Sequence, residues 1–213
     1  SRAFVQQTDG LDRVDVVVAS TFAAGVYPAI TPLPQFSDEA YTVGFVNIPP
    51  DSDVVVRNAQ LFKPPTGEEG PQYSFATRLA EGYLAANTPE GQTSPSLTPV
   101  DLENIRLGER TLRLRNDQNL QLDFRGYTPA FRHLSAGEIL FSKNAQIPDD
   151  FFRNRIVLIG PSNIDAPDLF PTPLYEPSAL ARFLDRHLPN AAARTPGVEL
   201  HATTVATILF GQT

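Results

Sequence analysis

The stretch RIVLIGPSNIDAPDLFPTP, residues 155–173, constrains the fold more than any other part of the sequence. Its first six residues form an apolar run that predicts an inner strand of an α/β domain. In a nucleotide-binding unit, such a strand breaks at glycine and becomes a helix whose free N–H groups bind phosphate. Prolines follow here instead. The sequence therefore predicts an α/β domain with an irregular loop after Gly160.

Composition agrees with one folded domain that has long connections. The chain has 20 prolines in 213 residues, about twice the usual share of ~5%, and this predicts stiff loops between elements. A hydrophobic content of 41% and a charged content of 19% are ordinary for a globular protein. The absence of cysteine excludes disulfides, thiolate-bound zinc and thiol chemistry.

Charge and hydropathy exclude several classes of partner. The net charge of -7 argues against nucleic acid and against an anionic membrane surface, because both need a basic face. No apolar run reaches the roughly 18 to 20 residues that cross a bilayer. The chain begins with serine and has no basic leader, so it looks like a piece separated from flanking segments such as membrane anchors, and we expect a single domain over residues 1–213.

Hydrophobic patterns predict the elements of an α/β fold with a mixed central sheet, β-hairpins, flanking helices and a long C-terminal helix. Residues 14–20 read as a strand buried on both faces. Two hairpins are expected, 41–48 with 54–62 and 111–115 with 120–124, and residues 88–102 read as a loop. Helices are expected at 71–87, after Ser135, at 176–188 and at 196–209.

The last helix is the clearest element in the pattern. Thr195 is the expected cap, Pro196 lies in the first turn, and an apolar stripe runs to the end of the chain. The stripe comprises Val198, Ala202, Val205, Ile208 and Leu209.

No serine elbow, phosphate loop or paired-histidine motif is present. The best acid–base or metal-binding set is Asp168, Glu199 and His201. Glu199 and His201 lie two apart on the expected helix, so they project about 200° apart and cannot both ligate one ion. A hydrogen-bonded core histidine, a helix-dipole glutamate and a turn-capping aspartate explain the same residues. We therefore expect no metal and no cofactor.

Two other groups of residues have a structural and a functional interpretation. In the turn PPDSD, Asp51 and Asp53 are turn caps or, with Arg57, an acidic–basic binding set. A calcium loop needs more oxygen ligands than this turn supplies. The proline hook, defined as Phe170, Pro171 and Pro173, either closes an edge of the sheet or forms a wall of a ligand pocket.

Six stretches in order resemble the CHASE domain of the second type, a sensory module of bacterial receptors. They are GFVNIPPDSDVVVR (44–57), YSFATRLAEGYL (73–84), LDFRG (122–126), FRNRIVLIG (152–160), DLFPTPL (168–174) and PGVELHATTVATIL (196–209). The sequence departs from the family pattern where Val54 replaces a glycine and where residues 175–195 look inserted. No motif match is evident ahead of Val16, so the first strand and helix of such a domain are expected to be missing.

The resemblance implies an extracytoplasmic sensor that lacks catalysis, is anchored by membrane helices and is followed by a cyclase or kinase output domain. We predict a stimulus site for a small molecule or ion, and a helix that passes the signal onward by taking two arrangements. The site residues are Asp53, Arg57, Ser162, Asn163, Asp168 and Phe170, and those of the helix are Val198, Glu199, His201 and Val205. Two alternatives stay open: a periplasmic metal-dependent hydrolase that uses Asp168, Glu199 and His201, and a non-sensing scaffold that forms homodimers.

Overall fold

The computed structural model describes most of the chain in several stretches. These are residues 16–22, 28–34, 42–64, 70–101, 103–115, 119–124, 131–141, 147–148, 150–163, 168–174 and 194–211. The helix expected at 176–188 lies outside the described residues. The three helices within them are α1 (Phe75–Ala86), α2 (Ala136–Phe141) and α3 (Gly197–Phe210).

The strands are short, and they pair both in parallel and antiparallel. They are β1 (Val17–Ser20), β2 (Thr42–Phe45), β3 (Asn58–Gln60), β4 (Phe62–Lys63), β5 (Gln72–Tyr73), β6 (Leu97–Pro99), β7 (Asn104–Leu107), β8 (Arg110–Arg113), β9 (Asn119–Gln121), β10 (Leu169–Phe170) and β11 (Thr195–Pro196). β1 and β2 are parallel. The pairs β3–β9, β4–β5, β6–β7, β7–β8 and β10–β11 are antiparallel. The predicted α/β class, with mixed pairing and a C-terminal helix, is confirmed.

Several predicted strand pairings are wrong. β2 pairs with β1, and β3 pairs with β9, so the first expected hairpin does not form. β8 pairs with β7 across a turn at Gly108, whose φ of 59° suits glycine, and the second expected hairpin is reduced to one bridge between Arg115 and Asn119. The expected loop 88–102 contains β6, which extends the β7–β8 pair. Local pattern identified β1, β2, β3, β8 and β9 but missed β5, β6, β7, β10 and β11, and it did not identify the distant partners of the strands.

Two segments that were expected to be buried are more open. β1 is half-buried, and Ala19 is exposed. Residues 155–160 are extended but form no ladder with another described segment. Ile156 packs on the core, whereas Ile159 is 91% exposed. An apolar run alone does not distinguish a central strand from an extended segment with one wet side.

The helix boundaries follow their capping residues. Ser74 accepts a hydrogen bond from the Thr77 backbone N–H at the start of α1. In α2, the predicted capping box forms: Ser135 Oγ accepts from the Gly137 N–H, and Glu138 accepts from the Ser135 N–H. The expected cap of α3 is wrong. Thr195 lies in β11, and Pro196 precedes the helix without a side-chain cap.

The buried residues of α1 are small, whereas Phe75, Leu79 and Tyr83, spaced four apart, are only half-buried. The buried ones are Ala76, Thr77, Ala80 and Gly82. Small side chains let neighbouring elements approach closely. At Gly44 in β2, for example, a Cβ atom would lie 2.6 Å from the Phe75 Cα.

The buried apolar residues form two clusters. The large cluster comprises Leu61, Phe62, Ala76, Ala80, Leu97, Ile105, Leu107, Leu112, Leu114, Leu120, Val205 and Ile208. The small cluster comprises Val56, Leu122 and Leu200, with Ile48, Ala59, Phe124 and Phe170 packed around it. Helix α3 supplies Leu200 to the small cluster and Val205 and Ile208 to the large one. It therefore joins them.

Candidate functional site

The loop from Asp51 to Arg57 is held together by charge pairs. Arg57 makes two hydrogen bonds of 2.8 Å to the carboxylate of Asp53 and one of 3.0 Å to Asp51. Asp53 also accepts from the Val55 N–H, as a turn cap should. Val54, at the position where the family pattern has glycine, adopts a φ of 69°. A valine there is strained, so the charge pairs and turn bonds must hold it.

The electrostatics of this loop are internally balanced. The Arg57 guanidinium holds the pKa of Asp53 at about 2, well below its usual value, and the two carboxylates in turn raise the pKa of Arg57. The Arg57 side chain is 41% exposed but is engaged by both aspartates. The Arg57 guanidinium, which could otherwise bind an anion, is therefore already occupied by the carboxylates of Asp51 and Asp53.

The proline hook lies beside this loop. The Val56 N–H donates to the Pro171 carbonyl at 2.9 Å, and Phe170 packs on the small cluster. Phe170 also pairs with Thr195 in β10–β11. The structure thus joins three predicted site residues, Asp53, Arg57 and Phe170, into one region next to the start of α3.

Asp168 lies against the first residue of α3. The Gly197 N–H donates to the Asp168 carbonyl at 3.0 Å, and a Cβ atom at position 197 would lie 2.3 Å from the Asp168 carboxylate. Only glycine leaves room for that carboxylate. Partial burial raises the pKa of Asp168 above its usual value.

Ser162 and Asn163 are exposed and make no hydrogen bond to another described residue. The segment nevertheless reaches α3 just before them, because a Cβ atom at Gly160 would lie 2.7 Å from the Val198 Cβ. Their assignment to a stimulus site stays a prediction.

His201 lines a narrow cleft between α3, β2, β3 and the start of α1. The full lining is Phe45, Asn47, Ile48, Asn58, Ala59, Gln60, Ser74, Ala76, Leu122, Leu200, His201 and Thr204. The room available is about 10 Å³, close to what one water molecule needs. The His201 ring packs edge to face against the Phe75 ring, with 5.6 Å between the two ring centroids. Burial lowers the pKa of His201 to about 4. The imidazole is therefore neutral at pH 7.

Sequence analysis missed most of this cleft. Asn58 and Gln60 lie on β3, a strand that was expected to pair elsewhere, and neither residue belongs to a recognisable motif. The available signal was their spacing, since residues two apart on a strand share one face. Leu200, which lies outside the predicted apolar stripe of α3, is among its most buried residues.

The residues of the hydrolase alternative do not gather at one point. Glu199 Oε1 lies 3.9 Å from His133 Nε2, the Asp168 carboxylate lies against Gly197, and His201 faces the cleft. Within the described part of the chain, no three acidic or histidine side chains are placed to hold a metal. The geometry gives that alternative no support.

Helix α3 has satisfied threonine hydroxyls and is held by neighbouring residues at two points of its C-terminal half. Thr203, Thr204 and Thr207 each donate their hydroxyl to the carbonyl four residues earlier, and Thr207 also accepts from the Asp123 N–H. At the far end, the guanidinium of Arg110 in β8 donates to the carbonyls of Ile208, Leu209 and Gly211. A cation at a helix C-terminus is also favoured by the helix dipole.

Comparison with known families identifies one match. The family model for the CHASE2 domain covers residues 2–213, and so it begins ahead of Val16, where the recognisable motifs start. No curated protein and no solved structure matches the chain significantly. None of the helices in the described ranges is long and apolar enough to span a membrane.

Proposed function

Because the chain belongs to the CHASE2 family of extracellular sensory domains, we propose that it is the sensor of a bacterial transmembrane receptor and signals through α3. A stimulus outside the membrane would favour one of two arrangements of this helix. Membrane segments beyond the domain would pass the shift to a cytoplasmic output domain such as a nucleotide cyclase or a protein kinase. The domain itself would bind and move rather than catalyse.

One observation supports this proposal above the others: α3 belongs to both hydrophobic clusters. Its N-terminal half contributes Leu200 to the small cluster beside the cleft and the proline hook. Its C-terminal half contributes Val205 and Ile208 to the large cluster. A change of packing at the cleft therefore acts directly on the element that leads out of the domain.

The test is to lock α3 in the full-length receptor. The Asp123 N–H lies 3.1 Å from Thr207 Oγ1, so Asp123→Cys and Thr207→Cys place two thiols on adjoining backbone segments, and this pair is the one to cross-link. These 213 residues contain no cysteine, so within this domain the new bond has no competing partner. We expect oxidation to freeze output at one level and reduction to restore its response.

A matched control disulfide leaves α3 free. Arg106 and Thr111 are exposed partners in the β7–β8 pair, and Arg106→Cys with Thr111→Cys should leave signalling unchanged. Normal output from the oxidised Asp123–Thr207 variant would overturn the proposal. So would equal loss of output in the control pair.

A dimerisation scaffold is the second candidate, and one observation favours it. Helix α2 carries three consecutive apolar residues that are largely exposed: Ile139 at 43%, Leu140 at 71% and Phe141 at 82%. Contiguous exposed apolar side chains commonly mark interaction surfaces. If copies of the domain pair through α2, Leu140→Lys should shift the mass measured by light scattering from dimer to monomer. Unchanged mass would reject this surface.

A further inference from the structure

The cleft beside His201 contains a polar group that the protein leaves unused. Asn58 Nδ2 donates to Asp51 at 2.9 Å, but the buried Oδ1 of Asn58 accepts no hydrogen bond in the described part of the chain. Buried polar groups in proteins nearly always have a partner, so the unpaired Asn58 Oδ1 needs one. The half-buried side chains of Gln60 and His201 line the same cleft. One buried acceptor without a partner, together with two further polar side chains beside it, points to a ligand.

These three polar side chains come from two different elements. Asn58 and Gln60 are two apart on β3 and share one face of the strand, while His201 comes from α3. The remainder of the lining is largely apolar, and it contains no acidic residue, lysine or arginine. The carboxylate that Asn58 contacts, that of Asp51, lies outside the lining and is also engaged by Arg57.

The chemistry of the lining selects against charge. An ion that entered would lose its hydration without gaining a counter-charge, and this is strongly unfavourable. A carboxamide such as Gln60 donates and accepts on one edge, Asn58 Oδ1 accepts, and a neutral imidazole offers one donor and one acceptor. This set complements a ligand edge with an N–H next to a C=O.

We propose that the cleft between β3 and α3 binds a small uncharged molecule through an amide-like edge, read by Asn58, Gln60 and His201. The cleft has room for about one water molecule. Anything larger must therefore move α3 away from β3 as it enters. That coupling rests on the proposed sensory function, whereas binding itself can be measured on the isolated chain.

Two isosteric pairs of probes test the site. Acetamide and acetate differ mainly in charge, as do urea and guanidinium. NMR titration of the labelled 213-residue chain should show saturable shifts of the His201 ring and the Gln60 amide with acetamide and urea, in the millimolar range expected for such small ligands. Acetate and guanidinium should give no saturable shift. Equal response to charged and neutral probes would overturn the proposal.

Matched substitutions separate the site from the fold. Gln60→Met keeps the side-chain length and removes both polar atoms, so the Kd for acetamide should rise about tenfold. Gln92→Met makes the same change on the exposed surface and should leave the Kd unaltered. If Gln60→Met fails to fold, Gln60→Glu keeps a polar side chain and should exchange the preference for urea for one for guanidinium. An unchanged Kd in a folded Gln60 variant would refute the assignment.

The result is separable from that of the receptor experiment. Saturable binding of acetamide supports the site even where locking α3 leaves output intact, in which case only the signalling proposal fails. Absence of binding, together with output frozen by the Asp123–Thr207 disulfide, overturns the site and leaves the sensory role standing.

Discussion

The two hydrophobic clusters differ in what surrounds them, although α3 runs through both. The large cluster is apolar throughout and is enclosed by α1, the β6–β8 strands and the second half of α3. The small cluster has three buried members and is bordered by the cleft, the charged loop at 51–57 and the proline hook. The difference indicates a division of labour, in which the large cluster supplies stability and the small one supplies a region that can respond.

The difference between the two clusters is tested most directly by making one substitution in each and comparing the loss of stability. Leu112 in the large cluster and Leu200 in the small one are 2% and 1% exposed. We expect Leu112→Ala to lower the free energy of unfolding by about 4 kcal/mol and Leu200→Ala by about 3 kcal/mol, because the second cavity adjoins a cleft that can collapse or hydrate. Urea denaturation measures both. Equal losses of unfolding free energy would show that the two clusters do not differ in their contribution to stability.

The pH dependence of stability tests the small cluster alone. His201 binds a proton in the unfolded chain near pH 6.5 but in the folded domain only near pH 4. The unfolded state therefore holds more protons between these values, and stability should fall as pH drops from 6.5 to 4, by up to about 3 kcal/mol. Asp168, whose pKa is raised, acts in the opposite direction, since its contribution is lost as pH rises.

Thermal unfolding of variants across this range isolates the imidazole. His201→Gln should flatten the dependence on pH. His133→Gln, a change at a half-exposed histidine, should leave it intact. A parallel slope in wild type and His201→Gln would show that the cleft does not keep the ring neutral.

A smaller effect is expected at the junction of the proline hook with α3. Gly197→Ala places a methyl group against the Asp168 carboxylate, which must move outward. We expect a loss of about 1 kcal/mol and a decrease in the pKa of Asp168 toward its usual value as the group becomes hydrated. Carboxyl-detected NMR titration measures that pKa. An Asp168 pKa that stays raised would show that close packing is not its cause.

The smallest effect on stability is expected in the charged loop. Arg57→Gln removes an ion pair whose members are 41% and 53% exposed, so the midpoint of urea unfolding should barely change. The pKa of Asp53 should nevertheless rise from about 2 toward its usual value. A large loss of stability would mean that this loop belongs to the structural core after all.

The sequence predicted the helices and some strands better than it predicted which strands pair with each other. Apolar periodicity located α1, a capping box located α2, and motifs in order pointed to the family. Pairing of β2 with β1 and of β3 with β9 depends on contacts between distant segments, which no local pattern contains. The cleft could not be predicted for the same reason, since Asn58 and His201 meet only once β3 and α3 are placed.

The roles of candidate residues were predicted correctly where they depend on neighbours in the sequence, and were missed where they depend on distant segments. The aspartates of the PPDSD turn were expected to cap it, and Asp53 does. The engagement of Arg57 with both carboxylates adds a contact that spacing alone left open. Asp168 was expected to cap a turn. Its close approach to Gly197 depends instead on how β10 meets β11.

The threonine hydroxyls of α3 have a consequence for motion. Because Thr203, Thr204 and Thr207 donate within their own helix, their hydroxyl hydrogens need no partner on a neighbouring element. The helix can therefore shift or rotate by a small step while these hydrogen bonds stay intact. Such a displacement would have to stretch the hydrogen bonds of α3 to Asp168, Asp123 and Arg110, while its apolar side chains exchange one apolar contact for another.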